Sequence, residues 1–218
     1  MDEQCPRFSR RAAITESILS RAADSIPKFQ WYDEEGLYYR SDYLPWDPKF
    51  NDAGTYTANG KGGFLGIWPG PIGGSGPYPI KDLPFSIVNA GPAWNSIKVD
   101  VNPPAGKQVV GSPTLSFSYS GLGTSKAVYA QLVDNSTGLV LSNIVTPVPV
   151  TLDGKTRTVS IPMESVAYTA DTGQSLTLQI TSSAINYLNA WTYGGINISD
   201  IRIDLPQHIA VTPPPWTP

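Results

Sequence analysis

The residues of this chain that could do covalent chemistry are few. Ser75 lies in GPIGGSGPYP, and Ser125 lies in GLGTSKA. A serine nucleophile on a strand-to-helix elbow reads G-x-S-x-G and needs a helix to follow. Gly73 stands two residues before Ser75, but Pro77 occupies the second glycine's place, and Pro77 and Pro79 bar a helix. Gly123-Thr124-Ser125-Lys126-Ala127 approximates G-x-S-x-A, yet a strand pattern follows it. Both serines therefore read as loop or hairpin residues. The only histidine, His208, follows Pro206 beyond the last strand pattern, and the only cysteine, Cys5, sits near the other terminus. A base and a nucleophile must meet for acyl transfer, and nothing in the spacing brings these together.

Metal chemistry is equally thin. Zinc asks for clustered His and Cys. Asp33, Glu34 and Glu35, or Asp171 in DTGQ, could contribute to a calcium site, but none sits in an EF-hand pattern, so they read as surface charge. Adjacent carboxylates on one strand point to opposite faces, which argues against Asp33–Glu35 as a glycosidase pair. No phosphate-cradling glycine motif is present. The sequence calls for no cofactor and no metal.

The elements that would position these residues are strands. From Ser96 the hydrophobic period is two. Ile97, Val99 and Val101 share a parity, as do Leu115, Phe117 and Tyr119, with Ser116, Ser118 and Ser120 on the other. AVYAQLVD at 127–134, VSIPM at 159–163 and SLTLQITS at 175–182 continue the pattern. Alternation of this kind means antiparallel strands with one buried and one wet face. Asp134–Gly138 and Asp153-Gly154 supply turn chemistry, and 148–152 with 156–162 reads as a hairpin around Asp153-Gly154-Lys155. In INISDIRIDL the apolar parity changes between Ile198 and Ile201, which predicts a bulge near Ser199–Asp200. Eight to ten short strands spaced this way make an all-β jelly-roll sandwich.

The N-terminal half is different. Residues 9–26 carry a helical period in Ile14, Ile18, Ala22 and Ile26, ended by Pro27. Residues 28–62 are aromatic and irregular, and 63–95 are loop-rich with one short strand expected at Phe64–Trp68. The tail TPPPWTP is a stiff proline segment. Three parts follow: a helical segment at 1–27, a jelly roll at 28–206 and a proline-rich tail at 207–218.

Bulk composition narrows the partners. With 15% charged residues and a formal net charge of −3 in 218 residues, nothing attracts a phosphate backbone. No run of eighteen apolar residues spans a membrane, and MDEQCPRFSRR lacks the apolar core of a secretory signal. Low charge with abundant Ser, Thr, Asn and Gly leans weakly toward an exported or cell-envelope protein. One thiol forms no internal disulfide, so packing alone holds the fold.

FQWYDEEGLYYRSDYLP, GSPTLSFSYSGLG, TPVPVTLDG and LTLQITSSAINY resemble the C-terminal domain of the Xaa-Pro dipeptidyl-peptidase and cocaine-esterase-like hydrolases, in an actinobacterial branch. The resemblance covers roughly residues 28–206. It implies a jelly roll beside an α/β-hydrolase domain whose Ser-Asp-His triad lies upstream of the matched region. No catalytic residue carries over, and the helix at 9–26 becomes a remnant of the hydrolase domain. The implied function is that of a non-catalytic accessory domain, packing on the catalytic domain or self-associating. The aromatic lead-in Trp31, Tyr32, Tyr38, Tyr39, Tyr43 and Trp46 is the expected docking surface. The competing expectation is a free-standing module for carbohydrate or cell envelope, because flat aromatic rings stack on sugars. The two separate on whether Trp31, Trp46, Trp68, Trp94 and Trp191 face solvent.

Overall fold

A computed structural model describes residues 29–32, 38–41, 52–70, 72–76, 90–187 and 191–209. Among them the regular structure is β-strand, apart from two single 3₁₀ turns at Leu141–Asn143 and Ile185–Tyr187. The helix expected at 9–26 lies outside the described residues, as does the tail from 210.

In chain order the strands are β1 (Phe29–Tyr32), β2 (Tyr38–Ser41), β3 (Asp52–Ile67), β4 (Ser96–Val101), β5 (Lys107–Gly111), β6 (Thr114–Gly123), β7 (Ala127–Asp134), β8 (Thr146–Pro149), β9 (Arg157–Pro162), β10 (Val166–Ala170), β11 (Leu176–Thr181) and β12 (Gly194–Ile209). β1 and β2 form a two-stranded antiparallel ladder. The rest make two antiparallel sheets.

The larger sheet has six strands in four positions. Residues 194–204 of β12 pair with β6, and 207–209 pair with β5, so β5 and β6 run end to end along one side of β12. β9 pairs with β6 and β10 with β5 in the same manner. Both composite strands bend together. At the bend the Met163 amide donates to Pro113 O (2.7 Å), and Gly111 takes a left-handed φ of +116°. β3 flanks the other side of β12. Across the large sheet the order is β3, β12, β5/β6, β10/β9; across the small sheet it is β4, β11, β7, β8. The chain changes sheets at every other connection between positions and stays in one sheet only for the β7–β8 hairpin. That four-on-four order is a jelly roll.

The alternating sequence explains the core. Leu115, Leu176, Ile196, Ile203 and Leu205 are fully buried between the sheets with Val99, Val101 and Phe117. Each such side chain contributes about 1.5–3 kcal/mol of transfer free energy. The phase change in β12 is a bulge, as the parity predicted. The pairing with β6 shifts between Ser199 and Arg202, Asp200 sits at φ +54°, and Ile198 and Ile201 are both kept inside.

Three expectations need correcting. First, residues 52–67, read as irregular up to a short strand at Phe64, form one sixteen-residue strand. Its inward parity changes from Ala58 to Leu65 across Gly60–Gly63, opposite the β12 bulge, so no simple alternation survives. Gly62 has φ +87°, and a Cβ there would collide with Ile198 O. Second, 148–152 and 156–162 are not a hairpin: β8 belongs to the small sheet and β9 to the large one. The Asp153-Gly154 turn is a crossover, fastened by the Gly154 amide donating to Gly121 O (2.7 Å). Third, β7 is buried on both faces rather than alternating. Tyr129 and Val133 join Ala90, Val140, Val145 and Ala184 in a second, outer cluster.

Candidate binding face

The two candidate serines lie at one end of the sandwich. The Ser75 amide donates to Ser183 O (3.0 Å) and Ser75 O accepts from the Ile185 amide (3.0 Å), which sets Ser75 in a short parallel bridge just past β11. Its side chain is fully buried and its Oγ has no hydrogen-bond partner. Ser125, also buried, donates to Ala127 O (2.8 Å) just past β6. Its neighbour Thr124 donates its amide to Tyr193 O (2.8 Å), immediately before β12 begins. His208 lies at the other end of β12, opposite Gln108 and Asp52. The fourteen residue steps from Gly194 to His208 rise on the order of 40 Å. His208 is therefore far out of reach of either hydroxyl as a general base.

Asp171 closes a tight turn in which its amide donates to Gln174 Oε1 (3.3 Å) and its carbonyl accepts from the Gln174 amide (3.2 Å). Asp33, Glu34, Glu35, Tyr43 and Trp46 lie outside the described residues. Of the lead-in aromatics, the backbone register sets Trp31 opposite Tyr39 and Tyr32 opposite Tyr38 on the β1–β2 ladder. Among the described residues no three His, Cys, Asp or Glu side chains are grouped for a metal, and no helix is long and apolar enough to cross a membrane.

What the structure does assemble is a surface. Trp68, Trp94 and Trp191 are exposed, at 59%, 75% and 86%. All three leave from one end of the sandwich, where β3 ends and β4 and β12 begin. Asn95 ties that end together. Its Nδ2 donates to Gly66 O (3.1 Å) in the large sheet and to Ser182 Oγ (3.0 Å) beside the small one, and its amide donates to Gly73 O (2.9 Å).

The outer face of the large sheet continues from this end. Gly195 pairs with Gly66 on one side and Leu122 on the other; one row along, Asn197 pairs with Phe64 and Ser120. Phe64 and Leu122 are exposed. A Cβ on Gly195 would strike the Phe64 ring tip (2.7 Å), and one on Gly66 would meet the Trp68 indole Nε1 (3.1 Å). Both rings therefore reach over glycine backbone, into space that a side chain at either glycine would fill. Further along come Ser199 and Ser118, then Arg202 and Ser116, then Asp204 and Thr114. Apolar rings thus give way to hydroxyls, and hydroxyls to charge.

The charges beyond the bulge are paired. Arg202 Nε donates to both carboxylate oxygens of Asp204 (3.0 and 2.9 Å), and Thr57 Oγ1 donates to Asp204 Oδ1. The Arg202 hydrogen bond, with smaller help from Thr57, holds the Asp204 carboxyl below its usual pKa. A shallow depression of about 550 Å³ lies here, lined by Asn59, Lys61, Ser116, Asp200 and Arg202.

Phe64, Leu122 and Tyr193 carry no chemical motif, and nothing in the sequence reading singled them out. The available signal was GGFLGIW, where apolar residues fall on both parities of a strand.

No family model matches the chain, and no curated protein matches it. Among solved structures it is similar to an aminopeptidase from the marine sediment archaeon Thaumarchaeota archaeon, with 14% identity over 90% of this chain and 44% of that one, at a TM-score of 0.49. It is also similar to the C-terminal CBM6 of LamC, a marine laminarinase from Zobellia galactanivorans (14% identity, 69% of this chain and 98% of that one, TM-score 0.29). A CBM4 is similar at 16% identity over 54% of this chain and 90% of that one, with a TM-score of 0.26. The chain spans less than half the length of the aminopeptidase chain.

Proposed function

We propose that the chain is a non-catalytic accessory jelly roll of a serine hydrolase of the Xaa-Pro dipeptidyl-peptidase or esterase type. It packs on the catalytic domain and shapes that domain's cleft or its oligomer. The observation that supports this reading is the length of β12, which separates the candidate serines from His208, the single histidine of the sequence. The aromatic lead-in is the docking element, with four aromatic positions paired on the β1–β2 ladder and Tyr43 and Trp46 following in sequence. The test is hydrolysis of p-nitrophenyl acetate and Xaa-Pro-nitroanilide by the chain, alone and with an α/β-hydrolase fragment of that type added in trans. Expected are no turnover alone and binding to, or stimulation of, the fragment. Turnover by the chain alone that disappears on Ser75→Ala or Ser125→Ala overturns the reading.

A second reading, a free-standing carbohydrate- or cell-envelope-binding module, is favoured by the exposure of Trp68, Trp94 and Trp191. Titration of the intrinsic tryptophan fluorescence with polysaccharides tests it.

A further inference from the structure

We propose that the outer face of the large sheet is a platform for a neutral glycan chain, with Phe64 and Trp68 as its stacking floor. The inference rests on the binding-module reading of the exposed aromatics and goes on to assign the face, the residues and the ligand charge. It is independent of the hydrolase reading.

Three features select a neutral sugar. The first is the exposure of the rings. Trp68 and Phe64 reach over Gly66 and Gly195, where no side chain crowds them, and more than half of each residue's surface is open to solvent. A pyranose presents a face of C–H groups that suits such a ring, and Leu122, across Gly195 from Phe64, flanks the same floor with apolar surface. The second is the polar row beside the rings. Asn197 and Ser120 are paired in register, followed by Ser199 and Ser118, so amide and hydroxyl groups repeat at strand spacing where sugar hydroxyls would lie. The third is charge. On β3, β12 and β6 the Gly66 and Phe64 rows hold no ionisable side chain. At the edge, where Leu122 bridges to Asp153, that carboxylate is ion-paired with Arg157 (2.7 Å), and along β12 the charges Asp200, Arg202 and Asp204 begin beyond Ser199. A polyanion meets no cation on those rows of β3, β12 and β6, and the Arg157 at their edge is already paired with Asp153.

The experiment uses the whole 218-residue chain in affinity gel electrophoresis. The gels contain dextran, a β-1,3-glucan, xylan or hydroxyethyl cellulose, with polygalacturonate as the acidic comparison. Expected is retardation by at least one neutral polymer, unchanged by 0.5 M salt. Phe64→Ala and Trp68→Ala should each weaken it by about tenfold, the worth of one aromatic contact, while Ile144→Ala, exposed on the connection between β7 and β8 of the small sheet, leaves it within about twofold. Thermal midpoints and far-UV circular dichroism of each variant guard against a folding artefact, and Trp68→Phe should restore part of the affinity. Retardation by a neutral glycan that survives Phe64→Ala with Trp68→Ala moves the site elsewhere and overturns the inference while sparing the binding-module reading. No retardation by any neutral polymer overturns both. Retardation by polygalacturonate alone, abolished by salt, refutes the neutral ligand. A dimer by sedimentation that Trp68→Ala dissociates gives the face to a second copy of the chain and overturns the glycan.

Discussion

On the small sheet, the outward side chains of β7 and β11 lie under the protein's own loops. Gln131 donates to Gly91 O (2.9 Å) and to Gln179 Oε1 (2.8 Å), and that same oxygen accepts from the Ala93 amide (2.8 Å). Tyr129 packs on Tyr187 with ring centroids 5.3 Å apart. On the large sheet, outward Phe64, Trp68 and Leu122 stand in solvent above glycine. Both faces carry large side chains, so composition does not separate them. The difference lies in the polar links. The covered face has buried amide and carbonyl groups that cost free energy unless paired; residues 91–95 pair Gln131 Nε2, Gln179 Oε1 and Thr181 Oγ1, and only Gln131 Oε1 in this network is left without a partner. The open face has rings, hydroxyls and glycine, which water tolerates and which a ligand can use without first displacing a loop.

The sharpest way to break this contrast is a pair of glycines. Gly74 sits in the segment seated against residues 183–185, and a Cβ there would overlap backbone Ser183 O and its hydroxyl. Backbone cannot swing aside, so Gly74→Ala should cost about 3 kcal/mol, read as a lowered denaturant midpoint. On the open face, a Cβ at Gly195 meets only the end of the Phe64 ring, which can rotate away. Gly195→Ala should leave stability within about 1 kcal/mol. Equal losses in the two variants would mean the faces do not differ as described.

Next in size is Gln131→Ala. It removes the donor to Gly91 O and Gln179 Oε1 inside a buried network and should cost about 2 kcal/mol in equilibrium unfolding. A loss below about 0.5 kcal/mol would show that water replaces the amide and that the cover is loose.

The sequence disclosed some strands of the large sheet better than others. Leu115, Phe117 and Tyr119 with their intervening serines declared the strand, its inner face and its wet face, because period two has one meaning on a half-buried strand. The β12 bulge was legible for the same reason: two apolar parities in one strand require an extra residue. β3 was not legible. Glycine at 60, 62, 63 and 66 depresses strand propensity, and its own change of parity at Gly62 erases the alternation. The ring platform went unseen with it, since Phe64 and Trp68 have meaning only once Gly66 and Gly195 are known to lie beneath them. The placing of β8 and β9 in different sheets was hidden too, because Asp-Gly joins strands equally well across a sandwich and within a hairpin.

Smaller still is the stability effect of stripping the open face. Phe64→Ala and Leu122→Ala remove side chains that are about two-thirds exposed, so little transfer free energy is lost. Each should shift unfolding by less than about 1 kcal/mol, as checked by thermal denaturation. A loss near that of Gln131→Ala would mean these side chains hold the fold and are not reserved for a ligand.

The smallest expected effect belongs to the charged end of the open face. Asp204 is held below its ordinary pKa, chiefly by the Arg202 hydrogen bond and then by Thr57, so the folded chain binds fewer protons at this site than the unfolded one. The resulting stabilisation is complete above the unfolded value of about 3.9 and is lost as pH falls through the folded value. The thermal midpoint should therefore decline below about pH 4, and Asp204→Asn should flatten that part of the profile. Arg202 is largely solvent-exposed, and salt screens exposed pairs, so the decline should shrink further in 1 M sodium chloride. A decline equally steep in Asp204→Asn would assign the acid sensitivity to other carboxylates. Against the buried amide network of the small sheet, which does not titrate, that outcome would remove the electrostatic part of the contrast and leave only the difference in cover.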